Sequence, residues 1–268
     1  MAGILSLQFT PKAGDKQFNL QKVSEIISKY SDKKLDLVVI PEFFSTGICD
    51  DAFINSPEDA NGGEVVKFLS ETARKYNTNI VCGTASERVG EKLFNTAFVL
   101  NRSGELIGKY RKIHLYNFFG GNEGTYTDAG SDILVLDLDF AKIGVSVCFD
   151  IKFPMLYREL IKKGAEIIVS PSAWSLLASA PAKEREIFTK TWEAMNICRA
   201  SENLVYFVTS NLTGRTAPFL DSIGHSMITG PYGEVICNAM EKETAIYADV
   251  DMKIVRDLKG KVPVALME

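Results

Sequence analysis

The chain reads as an α/β protein with mixed sheets, on three observations. Apolar, β-branched runs such as residues 35–40 and 167–170 have the composition of strands buried on both faces. Segments with helical periodicity, chief among them 15–30 and 63–76, alternate with those runs. Strand pairs such as 94–100 and 106–109, joined about Ser103-Gly104, break the strand–helix–strand order with hairpins. Crossovers give parallel pairs and hairpins give antiparallel ones, so both should occur. Two sheets packed face to face, with helices outside, is the natural arrangement.

In order along the chain, residues 3–9 read as the first strand. Residues 15–30 form a helix with Val23, Ile26, Ile27 and Tyr30 on one face. Pro41 ends the strand over 35–40 just before Glu42. The helix over 63–76 turns Val65, Val66, Leu69, Thr72, Ala73 and Tyr76 to the core. Strands are expected over 80–85, 94–100 and 106–109. A loop rich in glycine and aromatics then runs from 115 to 130. Strands resume over 133–138 and 143–147, and Pro154 suits the first position of a helix reaching about residue 163. A strand over 167–170 precedes a long helix over 182–202. Strands over 204–210, 226–229, 235–237 and 245–250, with a Pro231-Tyr232-Gly233 turn, and a short helix near 251–258 close the fold. No linker or repeat divides the chain, so residues 1–268 are expected to form one domain.

Composition excludes several classes. With 268 residues, 46% of them hydrophobic, the chain can bury a large core. A net charge of −4 argues against a nucleic-acid or anionic-membrane binder, which would need a basic face. The first residues lack a basic segment followed by an apolar one, and no apolar run approaches a membrane span. The expectation is a soluble, cytoplasmic protein. Five scattered cysteines, Cys49, Cys82, Cys148, Cys198 and Cys237, suit neither a disulfide framework nor zinc, and four of them are expected to be small buried hydrophobes. With only two histidines, His114 and His225, a metal site is not expected. Gly120-Gly121-Asn122-Glu123-Gly124 lacks the spacing of a nucleotide-binding loop.

Cys148 differs from the other cysteines in its company. Glu42, Lys112 and Cys148 each stand at or just beyond an apolar strand, and ligand sites in open α/β sheets form outside the carboxyl ends of strands. A thiol, a carboxylate base and a fixed cation suffice for nucleophilic attack on a carbonyl carbon. Lys112 is expected to favour the thiolate, and Glu42 to accept the thiol proton and return it to a leaving amine. The elbow between Cys148 and Pro154 leaves the Phe149 N–H free to face an oxyanion, with Lys112 as second donor. Each residue alone has an ordinary role, as a turn glutamate, a surface lysine or a core thiol; the combination is what carries chemistry. Trp174 divides evenly between core packing and pocket wall. Tyr116, Phe118, Phe119 and Tyr126 are candidates for the substrate mouth or for a subunit contact.

The motifs resemble the nitrilase superfamily of carbon–nitrogen hydrolases nearly end to end. They are Pro41-Glu42 after a strand, Lys112-Ile113-His114-Leu115, and Cys148-Phe149-Asp150 leading to Phe153-Pro154. Ser170-Pro171-Ser172-Ala173-Trp174, Arg199-Ala200 with Glu202-Asn203, and Gly224 with Ser226 complete the match. The resemblance implies a four-layer αββα sandwich, a catalytic Glu42–Lys112–Cys148 triad, and a second glutamate, Glu123, that orients Lys112 or assists proton transfer. It also implies homodimers or larger assemblies, no metal or organic cofactor, and a small-molecule amide as substrate. Two departures bear on specificity. The family's usual arginine in the cysteine motif is Lys152, which cannot form a bidentate fork, and its frequent glutamate after the proline is Met155. Phe149-Asp150 after the cysteine resembles the small-amide branch that includes omega-amidases. N-carbamoyl-amine or nitrile hydrolysis, and an idle scaffold protein, are the alternatives.

Overall fold

A computed structural model describes residues 1–61, 63–118 and 121–264. In chain order the elements are β1 (Ala2–Gln8), α1 (Lys16–Ser28), β2 (Leu37–Val39), α2 (Asp50–Asn55), α3 (Glu64–Tyr76), β3 (Asn79–Val81), β4 (Ala85–Val89), β5 (Lys92–Leu100) and β6 (Leu106–Arg111). The second half holds β7 (Val135–Asp137), β8 (Lys142–Val145), α4 (Pro154–Lys162), β9 (Ile167–Ser172), β10 (Ser175–Leu177), α5 (Ala182–Asn203), β11 (Tyr206–Asn211), β12 (Thr213–Ala217), β13 (Leu220–Ile223), β14 (Met227–Thr229), β15 (Val235–Asn238), β16 (Thr244–Val250) and α6 (Met252–Lys261).

The strands form two large mixed sheets. One runs β16-β1-β2-β3-β5-β4 with β6 paired to β5; the other runs β15-β14-β11-β9-β8-β7. Within the first, β1, β2 and β3 are parallel neighbours, whereas β4, β5 and β6 form antiparallel hairpins. The second has the parallel trio β8-β9-β11 flanked by antiparallel strands. Alternation along β1 shows the layering. Ile4 joins a core shared with Val145, Val169 and Phe207 of the opposite sheet, while Leu5 and Leu7 turn outward onto Leu20, Val23 and Ile27 of α1 and Val65 and Leu69 of α3. Leu160 of α4 and Trp192 of α5 join the first of these cores. The result is the expected four-layer αββα sandwich. Strands covered on both faces explain why β1 is buried throughout and reads as a continuous apolar run.

At one end the space between the sheets turns polar. Ser6 Oγ donates to the Thr209 carbonyl at 2.8 Å and Ser210 Oγ to the Leu7 carbonyl at 2.6 Å, so the sheets are joined by hydrogen bonds as well as by packing. The Glu42 N–H donates to the Ser172 carbonyl at 3.3 Å, tying the end of β2 to the end of β9. β8 pairs with β9 only as far as Val169, so Pro171 has no partner on that side whose ladder it could break.

Several sequence expectations need correction. The run over 80–85 is not one strand: it breaks after Val81, because Gly83 adopts φ +56° and the chain restarts as β4. α2 was not expected, being too short at six residues for periodicity to register. The three-stranded sheet β10-β13-β12 was also missed; its strands are short and largely polar, and pair only with one another. Of the four cysteines expected to be buried, only Cys82 is; Cys198 is exposed on α5, and Cys49 and Cys237 are half-buried.

Gly83 generates a test of how the fold holds Glu42. A Cβ there would run into the Pro41 carbonyl oxygen and lie 2.8 Å from Phe44 Cδ1. Gly83→Ala is expected to lower stability by about 1–3 kcal/mol from its backbone conformation alone, with the clash added. Denaturant unfolding measures that loss.

Candidate active site

The site gathers where several strands end. Glu42 follows β2, Lys112 follows β6, Cys148 follows β8 and Ala173 follows β9. Glu42, Lys112, Glu123 and Cys148 are 1%, 2%, 5% and 7% exposed, so four ionisable side chains are withdrawn from water together. Lys112 Nζ donates to Glu42 Oε1 at 2.9 Å and to Glu123 Oε2 at 2.8 Å. Glu123 opens a single turn of 3-10 helix, Glu123–Thr125, inside the loop that the sequence left irregular. The Tyr116 N–H also donates to Glu123 Oε2, at 2.9 Å, so the loop is folded around this carboxylate.

Burial by itself lowers the proton affinity of Lys112, but the two carboxylates outweigh it and hold the ammonium well above the usual lysine range. Glu42 moves upward: loss of water and the Glu123 charge raise it, against the pull of Lys112. Its Oε1 takes the Lys112 contact, while Oε2 is buried without a hydrogen-bond partner of its own. The Cys148 thiol adjoins this carboxylate, and each group perturbs the other's ionisation.

Cys148 sits at φ +47°, a left-handed conformation that non-glycine residues seldom adopt. It opens the 3-10 helix Cys148–Lys152, which runs into α4 at Pro154. The turn is held by Asp150, whose fully buried carboxylate accepts from Tyr110 Oη at 2.7 Å, from the Val147 N–H at 2.9 Å and from the His114 N–H at 3.0 Å. His114 Nδ1 lies 2.6 Å from the same carboxylate, and its ring stacks on Phe153 at 3.5 Å between centroids. His114 therefore braces the elbow, in keeping with a structural role.

Burial and the neighbouring Glu42 charge push the Cys148 thiol well above its ordinary range, outweighing Lys112, which favours the ionised sulfur as expected. Lys112 is already committed to two carboxylates. Cys148 therefore rests as a thiol. The Ala173 backbone adds a hydrogen bond that favours the ionised sulfur.

The other candidates separate by position. Tyr116 packs edge-to-face on Phe149 at 5.1 Å, and exposed Phe118 lies 5.8 Å from Phe149, forming an aromatic wall next to Cys148 in the chain. Tyr126 is held by Asp50 of α2 at 3.1 Å. Phe119 lies outside the described residues. Trp174 is buried against Trp192 and Phe188, its Nε1 unpartnered, with Lys152 Nζ 5.6 Å above its ring. Sequence reasoning missed Asn95, whose Nδ2 reaches both Glu42 and Glu123, and the Ala173 backbone contact. Asn95 did leave a signal: an amide inside an otherwise apolar strand needs a partner. Among the described residues no cluster of three or more histidine, cysteine, aspartate or glutamate side chains could hold a metal, and no helix is long and apolar enough to cross a membrane.

Comparison with known proteins fits this geometry. The carbon–nitrogen hydrolase family model matches residues 4–259. The chain belongs to that family, the nitrilase superfamily, and is an enzyme. The 2-oxoglutaramate amidase of Bacillus subtilis is 31% identical over 261 residues, 97% of this chain and 95% of its own length. Omega-amidase NIT2 of Danio rerio is 30% identical, over 92% of this chain and 87% of the relative. Nit3 of Saccharomyces cerevisiae, a member of branch 10 of the nitrilase superfamily, superposes with a TM-score of 0.86 at 27% identity, covering 100% of this chain and 95% of Nit3.

For this carbon–nitrogen hydrolase the ionisation pattern makes a test. Glu42→Gln removes the anion that raises Cys148 and leaves Lys112 in place. The thiol should then ionise at lower pH than in the wild type, read as ultraviolet thiolate absorbance against a Cys148→Ser background. An unchanged titration would mean that the carboxylate and the thiol do not interact.

Proposed function

We propose that this enzyme hydrolyses the amide of a small aliphatic acid through a thioester on Cys148. The observation that carries the reading is the buried Glu42–Lys112–Glu123 ion cluster set against a thiol in a strained conformation. Cys148 Sγ attacks the amide carbon as Glu42 takes the thiol proton. Charge growing on the amide oxygen is met by the Phe149 N–H at the start of its helical turn and by the fixed Lys112 cation. Glu42 passes its proton to the nitrogen, the C–N bond breaks and ammonia leaves. Water then attacks the thioester, giving Glu42 a proton that returns to the departing sulfur and releases the carboxylic acid. Glu123 keeps Lys112 charged and in place throughout.

The relatives' names support an amide carrying a second acidic group, since 2-oxoglutaramate bears a carboxylate. Lys152 suits that group. It is exposed, makes no salt bridge among the described residues, and sits over Trp174, next to the residue whose backbone contacts the Cys148 sulfur. A homo-oligomer in the cytoplasm, acting on a small molecule rather than nucleic acid or membrane, completes the proposal.

Ammonia release from matched panels of amides, N-carbamoyl amines and nitriles tests the reaction class. Amides should dominate, and Cys148→Ser should abolish turnover without altering the fold. Turnover that survives in Cys148→Ser, or a preference for nitriles, would end the proposal. Lys152→Met should raise KM for carboxylate-bearing amides about tenfold or more, the worth of one charge-assisted contact of about 1.5–3 kcal/mol, and leave neutral amides unchanged.

A further inference from the structure

We propose that Asn95 is a positioning residue of this active site, fixing both glutamates so that one oxygen of Glu42 is reserved for the Cys148 proton. The inference rests on Glu42 as base, as assigned above, and adds the device that aims it.

Asn95 lies on β5, a strand buried along nearly its whole length, where an amide is out of place unless it is used. Its single Nδ2 donates one proton to Glu42 Oε1 at 2.9 Å and the other to Glu123 Oε1 at 2.8 Å. The opposite amide orientation would set a carbonyl oxygen against two carboxylates, so only this one is electrostatically acceptable. Its backbone carbonyl accepts the Lys112 N–H at 2.9 Å. One residue thus touches Glu42, Glu123 and Lys112.

The consequence lies in which oxygens are used. Glu42 Oε1 carries two donors, Lys112 and Asn95, and Oε2 carries none. Both Glu123 oxygens are engaged, Oε1 by Asn95 and Oε2 by Lys112 and the Tyr116 N–H. Asn95 Oδ1 is itself buried without a partner, a costly arrangement that gives the fold nothing. The amide is therefore kept for its donor half. A neutral donor also suits the chemistry better than a second cation. It orders the two anions without adding a positive charge that would make Glu42 a poorer base.

The titratable groups packed about Glu42 are Lys112, Glu123 and Cys148; Tyr126 neighbours Glu123, and Tyr116 neighbours Cys148. Removing a donor from an ionised carboxylate raises its proton affinity, so loss of Asn95 moves the acid limb of any Glu42-dependent step to higher pH. A hydrogen bond to a charged group is worth about 1.5–3 kcal/mol, which corresponds to a shift of about one to two pH units.

The experiment compares wild type, Asn95→Leu and Asn95→Asp in two assays, the pH profile of kcat/KM for amide hydrolysis and the pH profile of Cys148 alkylation by iodoacetamide, followed by mass. Alkylation needs no substrate, so it separates this inference from the choice of amide. If no amide is turned over, the proposed reaction fails and the alkylation profile still decides the role of Asn95. Asn95→Leu is expected to move the acid limb up by about one to two pH units in alkylation, and to lower kcat more than it raises KM. Asn95→Asp, which places a third carboxylate on the pair, should move the limb in the same direction and serves if the leucine variant does not fold. A folded variant whose acid limb coincides with that of the wild type in the alkylation assay overturns the proposal, however much its turnover has dropped.

Discussion

A lysine ammonium held between two carboxylates, with almost no water, organises the active end of this protein. Taking one such ion from water costs several kcal/mol even after the protein relaxes. Lys112, Glu42 and Glu123 are three ionisable groups gathered in one place. Each is tolerable only because the others are within hydrogen-bond reach. The strands must therefore end where they do. β2 delivers Glu42, β6 delivers Lys112, and the loop beyond folds a helical turn around Glu123. A shift of one residue in the β5–β6 register would send the Lys112 side chain to the opposite face of the sheet.

Beside this cluster Cys148 is held by different means. Cys148 is in a backbone conformation that its own chemistry does not favour, and Asp150, Tyr110 and His114 hold the elbow that imposes it. Strain of this kind persists only where the surroundings over-determine it. The sulfur is also kept as a thiol by burial and by the Glu42 charge. The proton affinity of Glu42 is raised as well. The two shifts have a common origin, the exclusion of water.

Polar contacts between the sheets serve the same end. Ser6, Ser210 and the Glu42 backbone cross from one sheet to the other near the site, so that strand ends from both halves of the chain keep a common frame. The apolar core lower down provides the stability that offsets the cost of the ion cluster. Asn95, Ala173 and Asp150 add no chemistry of their own. They set which lone pairs and which protons face one another.

Much of this was legible in the residues. Periodicity located the main strands and helices, because strands covered on both faces must be apolar throughout and helices packed on one side must be amphipathic. The residues just beyond strand ends pointed to Glu42, Lys112 and Cys148, since an ionisable group in such a place is unusual. Short or polar elements escaped, α2 and the small β10-β13-β12 sheet among them, because their stability comes from neighbours and leaves no period in the sequence. Gly83 gave no sign that it would end β3, since a left-handed turn is chosen by what surrounds it. The sequence by itself determined the layers and the reactive groups. Only the tertiary structure decided that Lys112 is spent on two carboxylates, that Cys148 rests protonated and that Asn95 spans the pair, because ionisation and hydrogen-bond partnership depend on distances and on exclusion of water, which exist only once remote segments have packed together.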